Sequence, residues 1–226
     1  FYDSDLILFP SAIQSSPELG IRFKKVSGTF NSGRNYEEVQ AVVNEVCELI
    51  LQKTEESIGI VAMNSQQRDE IENQLELKLS ENSLLQSLYD KKMKSFEPIF
   101  IKNLENVQGD ERDVIVISMT YGPSQIAGKV FQRFGPINQS SGWRRLNVLF
   151  TRSKKRMHII SSMKSTDILT SDTSSKGVSA LKEFLRYCET GFLHEEKQTG
   201  KAPDSDFEIA VMKALAKHGY ECEPQL

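Results

Sequence analysis

The sequence predicts an α/β fold built on a mainly parallel sheet. Three observations lead there. Segments of strand character alternate with segments of helical period along most of the 226 residues. Val114-Ile115-Val116-Ile117 is an unbroken β-branched run, which suits a central strand covered on both faces. Hydrophobic content of 38% and charged content of 26% are those of an ordinary globular chain with a core to bury.

The elements follow in order. Leu6-Ile7-Leu8-Phe9 reads as a short strand stopped by Pro10, and "GIRFKKVSGTF" as an edge hairpin. Asn35, with Glu38 three residues on, has the form of a capping box. Val39, Val42, Val43, Val46, Leu49 and Ile50 then recur at helical spacing. "SIGIVAM" is a buried strand, and "SQQRDEIENQLELKL" a polar helix with the stripe Ile71, Leu75, Leu79. Residues 80–97 extend or break that helix. Ile99–Lys102 and Val114–Ser118 are strands. Residues 120–142, rich in glycine and without a clean period, form a long loop of the kind that carries function. A helix over Trp143–Ser153, a strand over Met157–Ser162 and a helix in "SSKGVSALKEFLRYCE" complete the series.

Composition excludes several classes. No apolar run approaches the ~20 residues that span a bilayer, so no membrane partner is expected. "FYDSDLILFP" lacks the basic start and small-residue cleavage site of a signal peptide. Cys47, Cys188 and Cys222 have no metal-like spacing and read as reduced thiols of a cytoplasmic protein. His158, His194 and His218 are equally dispersed and read as surface or packing residues. Net charge is −3, whereas a dedicated nucleic-acid module is usually basic. The stretch "WRRLNVLFTRSKKR" is the local exception, with no acid in it. On a helix, Arg145 and Arg152 share one face two turns apart, with Val148 and Leu149 between them. Arginines sheltered in that way call for an anionic partner.

Phosphate-binding glycine loops are absent as self-contained motifs. Gly128-Lys129 is followed by Val130, and Gly200-Lys201 by Ala202, so neither completes a Walker A pattern. The Val114–Ser118 strand ends without the paired acids of Walker B. The charged turn "VQGDERD" lies directly before that strand, at one end of the sheet, where open α/β folds tend to hold ligands.

"IGIVAMNSQQR", "NLENVQGDERDVIVIS" and "GWRRLNVLFTRSKKRMHII" resemble motifs IV, V and VI of superfamily 1 helicases, in that order and at fitting spacing. The resemblance covers about residues 1–165 and implies the second RecA-like motor domain, a three-layer fold of the P-loop NTPase type. It implies ATP and Mg2+, held mainly by a first RecA-like domain missing from this chain, and single-stranded DNA, or RNA, as the track. Arg152 matches the motif VI arginine finger, whose guanidinium stabilises charge on a transferring phosphoryl group. Glu111 matches the motif V acid near the nucleotide, with Gln108 and Gly109 shaping its turn. Arg68 matches the motif IV arginine, a phosphate contact, or else pairs with Glu72 on an exposed helix. Arg145 is a finger helper or an internal ion-pair residue. Asn103 stands where the family has a threonine that contacts nucleic-acid phosphate, and Ser118 joins it on the track. Asn64 replaces the aromatic that stacks on a base.

The expected organisation is a motor domain at 1–190, a linker at 191–205 and, from 206 to 226, the first helix and strand of a nuclease-like domain. That tail resembles the very-short-patch-repair-like endonucleases, with Glu208 either near a metal site or simply a capping acid. The Asp and Glu-x-Lys that would hold Mg2+ do not follow, and a strand ending the chain without partners implies a piece of a longer protein. The function expected is an ATP-dependent helicase or translocase, inactive as this fragment alone. The alternative is a binding or regulatory module that kept the fold without the motor.

Overall fold

A computed structural model describes residues 19–52, 55–171 and 173–191. The chain divides into two units, 1–192 and 193–226. Every described residue belongs to the first, so the Leu6–Phe9 strand, most of the linker and the nuclease-like tail fall outside the described residues.

Five strands form one sheet: β1 (Gly20–Lys25), β2 (Ile58–Ala62), β3 (Phe100–Asn103), β4 (Arg112–Ser118) and β5 (Ser153–Ser161). Their spatial order is β1-β5-β4-β2-β3, and every pairing is parallel. Helices α1 (Tyr36–Leu51), α2 (Ser65–Glu81) and α3 (Ser83–Met93) pack on one face; α4 (Gly142–Phe150) and α5 (Lys176–Thr190) pack on the other. The result is a three-layer α/β sandwich with the parallel sheet that the alternation of elements predicts, of the RecA-like kind that the resemblance implies.

β4 accounts for the layering. Val114 and Val116 join the core under α1 and α2, while Ile115 and Ile117 join the core under α4 and α5. All four are fully buried, because side chains alternate along a strand and both faces are covered. Beside it in β2, a Cβ on Gly59 would sit 2.4 Å from the Phe100 ring, so a side chain there has no room.

Several expectations are corrected. Residues 20–25 form a single parallel edge strand on β5 instead of a hairpin. Asn82 caps a separate helix, α3, by accepting the Leu85 N–H at 3.0 Å, so the chain breaks at residue 82. β5 starts at Ser153, four residues earlier than apolarity indicates, because Lys154 and Lys155 extend the pairing beyond the core. Helix α4 ends at Phe150, where the Thr151 hydroxyl donates to the carbonyls of Asn147 and Val148, both at 3.0 Å. Arg152 therefore follows the helix and does not share its face with Arg145.

Between β3 and β4 the chain returns along the sheet in residues 104–111, with Leu104 and Val107 buried on the α4 face. This short crossover delivers the charged turn of residues 107–113 to the amino ends of the strands. Among the described residues, no helix is long and apolar enough to cross a membrane.

Candidate functional site

The sequence-predicted residues separate onto the two ends of the sheet. Arg152 lies between α4 and β5, and Glu111 directly before β4, so both sit at the amino ends of neighbouring strands. Arg152 Nη1 is 3.6 Å from Glu111 Oε1. Its Nε donates to the Val148 carbonyl at 2.8 Å and its Nη2 to the Thr151 hydroxyl at 3.0 Å. The guanidinium is thus oriented by the carboxyl end of α4, where the helix dipole favours a cation. Its side chain is 17% exposed and that of Glu111 51%, so the pair opens outward from the sheet edge.

Gln108 and Gly109 are exposed on the turn leading to Glu111. Gly109 has φ +86°, a left-handed conformation that favours glycine, and a Cβ there would meet nothing within 4 Å. The glycine is needed for the turn and not for lack of space within this domain.

The cations after Arg152 are neutralised locally. Lys154 pairs with Glu97 at 2.5 Å, Lys155 with Asp113 at 3.3 Å, and Arg156 with Glu56. The Lys154 ammonium holds Glu97 below the usual carboxylate range. Of "TRSKKR", Arg152 alone faces an acid that is itself half-exposed.

Arg145, on α4, donates to the Gln139 side-chain carbonyl and the Ser141 hydroxyl, both at 3.2 Å. The internal ion pair is not formed among the described residues. Arg68 lies in the first turn of α2, beyond the carboxyl end of β2, and so at the opposite end of the sheet from Arg152. Its Nη2 pairs with Asp69 at 2.5 Å, not with Glu72.

Asn103 closes β3 at that carboxyl end, where its side-chain oxygen accepts the N–H groups of Glu105 and Asn106, both at 3.1 Å. Ser118 closes β4 and is fully buried. Its hydroxyl donates to Glu38 Oε2 at 2.6 Å and accepts from Gln67 Nε2 at 3.0 Å. A nucleic-acid contact by Ser118 is closed off in this arrangement, because burial and these two bonds use the hydroxyl. Asn64 caps α2 by accepting the Gln67 N–H at 2.8 Å.

Sequence reasoning missed Glu38. Half of the expected capping box forms, since Asn35 accepts the Glu38 N–H at 3.3 Å. The carboxylate does not return to the Asn35 backbone N–H, which is taken by Gln67 Oε1 at 2.8 Å, and meets only the Asn35 side-chain amide, at 3.4 Å. Instead Glu38 is fully buried beneath the carboxyl ends of β4 and β5. It accepts from the Thr120 N–H at 2.6 Å, the Ser162 N–H at 2.7 Å and the Ser162 hydroxyl at 2.7 Å, besides Ser118. Burial pushes its carboxyl up to about 7, with the hydrogen bonds from Ser118, Ser162 and Thr120 opposing. The network holds Thr120 at φ +66°, unusual for a β-branched residue. The available signal was an acid at a position flanked by valines on the buried stripe of α1.

No group of His, Cys, Asp and Glu among the described residues is arranged to hold a metal ion. Residues 15–164 match the protein family described as AAA domain. The chain belongs to the AAA domain family. This AAA domain is similar to an uncharacterized ATP-dependent helicase of Mycoplasma genitalium, 32% identical over 191 residues. The match covers 83% of this chain and 16% of the relative. A homologue of that protein in Mycoplasma pneumoniae is 30% identical over 226 residues, covering 98% of this chain and 19% of its own length. The AAA domain chain therefore spans less than a fifth of the length of these curated relatives.

Proposed function

We propose that this AAA domain is the second motor domain of a superfamily 1 ATP-dependent helicase or translocase, the half that offers an arginine to a nucleotide held by another domain. The observation that carries the reading is the Arg152–Glu111 pair. A guanidinium fixed by its own helix end points, next to an exposed acid, out of the amino edge of a parallel sheet. Two of its nitrogens are spoken for by Val148 and Thr151, which sets its plane; Nη1 makes a 3.6 Å contact to the half-exposed Glu111. Such a group suits charge developing on a transferring phosphoryl group, a role worth ~10³–10⁵ in rate where it has been removed from comparable NTPases. Gly109 lets the turn beside it approach a ligand closely, and Glu111 would lie near the nucleotide's ribose or phosphates.

ATP and Mg2+ are substrate and counter-ion whose main binding groups lie outside these residues, and single-stranded DNA or RNA is the track. Relatives named as ATP-dependent helicases support the motor assignment. The charged turn before β4 was expected at the ligand end of the sheet, but it lies at the amino ends of the strands, whereas an open α/β sheet usually holds its ligand at the carboxyl ends. That inversion suits a domain that completes another domain's pocket.

The test is ATP turnover. The chain alone should be inactive. The full-length protein should hydrolyse ATP, faster with single-stranded DNA, and Arg152→Ala should remove at least ~10³ of that rate. Undiminished turnover in that variant removes Arg152 from the role. The second reading, a module without motor activity, is favoured by Asn64, which caps α2 and gives no base-stacking ring. It requires the full-length protein to lack ATP hydrolysis altogether.

A further inference from the structure

The loop that follows β4 contains an ordered pin. Pro123 and Val130 form an antiparallel bridge, the Ser124 N–H donates to the Lys129 carbonyl at 2.9 Å, and the Gly128 N–H donates to the Ser124 carbonyl at 2.9 Å. Gly128, at φ +61°, makes the turn. The Ile126 side chain at its tip is 100% exposed, and Phe131 just past its base is 59% exposed. A recess of about 280 Å³ lies between the pin and the segment after β1, with Phe30, Asn31, Ile126 and Phe131 in its wall. The back wall is stiff. The Phe30 N–H donates to the Pro123 carbonyl at 2.9 Å, and the Phe30 ring packs 5.4 Å from Tyr121, which packs edge-on against buried Phe134.

Charge identifies what this surface takes. No acid occurs in the sequence between Asp113 and Asp167. Lys129 and Arg133 flank Phe131, are exposed, and make no ion pair among the described residues. Lys154, Lys155 and Arg156, at the other end of the sheet, are all paired. An exposed ring between unneutralised cations, over an apolar recess sized for one planar ring system, is the composition of a single-strand platform: stacking for a base, cations for the flanking phosphates.

We propose that the 123–133 pin of this domain is a nucleic-acid contact, with one base of a single strand stacked on Phe131 in the recess and the adjoining phosphates on Lys129 and Arg133. The proposal rests on the helicase reading for the class of partner. It also supplies an exposed surface at the carboxyl end of β4, where Ser118 itself is buried. The two functions then occupy opposite ends of one sheet: nucleotide at the amino ends, strand at the carboxyl ends.

The experiment is fluorescence anisotropy of the 226-residue chain with labelled oligo(dT) and oligo(U) at several salt concentrations. Phe131→Ala is expected to weaken binding ~5- to 150-fold, the span of one lost base stack, and Phe131→Trp to restore it. Lys129→Gln with Arg133→Gln should reduce the salt slope by ~1.4, two phosphates on a single strand. Phe96→Ala, at a fully exposed ring remote from the pin in sequence and at the other end of the sheet, should change nothing. All these side chains are exposed, and unchanged circular dichroism confirms that the variants fold. Equal affinity of Phe131→Ala and wild type overturns the proposal, as does absence of binding by the wild-type chain at low salt. So does a pin whose variants spare oligonucleotide binding but weaken association with another protein domain. The outcome is separable from the motor reading: Arg152→Ala should leave this binding intact.

Discussion

Arg152 and Glu38 carry opposite lessons about single residues. Arg152 is a largely sheltered cation at the amino edge of the sheet, and its direction is set by two hydrogen bonds to its own helix end. Lysine has neither the Nε donor nor the planar fork. Arg152→Lys in the full-length protein should therefore lower kcat by ~10² or more with little change in KM, as expected for a contact made in the transition state. Glu38 is a buried acid with a carboxyl pushed from 4.5 up to about 7, so the folded state holds its proton more tightly than the unfolded chain. Its contribution is then fully present below pH 4.5 and is lost as pH rises through 7, on the order of 3 kcal/mol over that window. Urea unfolding at a series of pH values checks this. Glu38→Gln should flatten the slope and lower stability by ~1–3 kcal/mol throughout, because its amide group turns a donor toward the Thr120 or Ser162 N–H.

At the level of elements, helices α4 and α5 are positioned through a shared backbone atom. A Cβ on Gly142 would lie 2.2 Å from the Ile137 carbonyl oxygen, and one on Gly177 2.3 Å from the same oxygen. Each helix carries a glycine in its first turn, at the first position of α4 and the second of α5, because that turn closes on this carbonyl, and Ser175 adds a hydrogen bond to it at 3.2 Å. Gly142→Ala should reduce stability by ~1–3 kcal/mol, the range for forcing atoms into a filled space. Since α4 ends at the residues that orient Arg152, the same variant should also lower ATP turnover of the full-length protein. A stability loss without any loss of turnover would mean that the helix shifts as a whole without moving its carboxyl end.

For the whole domain, the sheet order sets a gradient of stability from centre to edge. β4 and β2 are covered on both faces, whereas β1 is an exposed edge. Hydrogen exchange should be slowest at the amides of Val114–Ile117 and fastest in β1, because edge strands open with little loss of burial. Uniform protection across the sheet would contradict this. The α/β alternation and the β4 core were legible in the sequence because a strand buried on both faces must be apolar at every position, a purely local pattern. The seating of Gly142 and Gly177 on the Ile137 carbonyl was not, since it depends on a backbone contact that only folding makes. The motif residues could be named from the sequence, but their grouping could not: Arg152 with Glu111 at one end, Arg68 and Asn103 at the other, Ser118 inside. Glu38 was hidden by the same limit, because a capping pattern explains it locally and only folding brings Ser118, Thr120 and Ser162 around it. Sequence thus determined the kind of fold and the inventory of charged groups, through periodicity and local chemistry. Tertiary structure alone decided which charges meet, because neutralisation acts over a few ångströms of space and takes no account of separation along the chain.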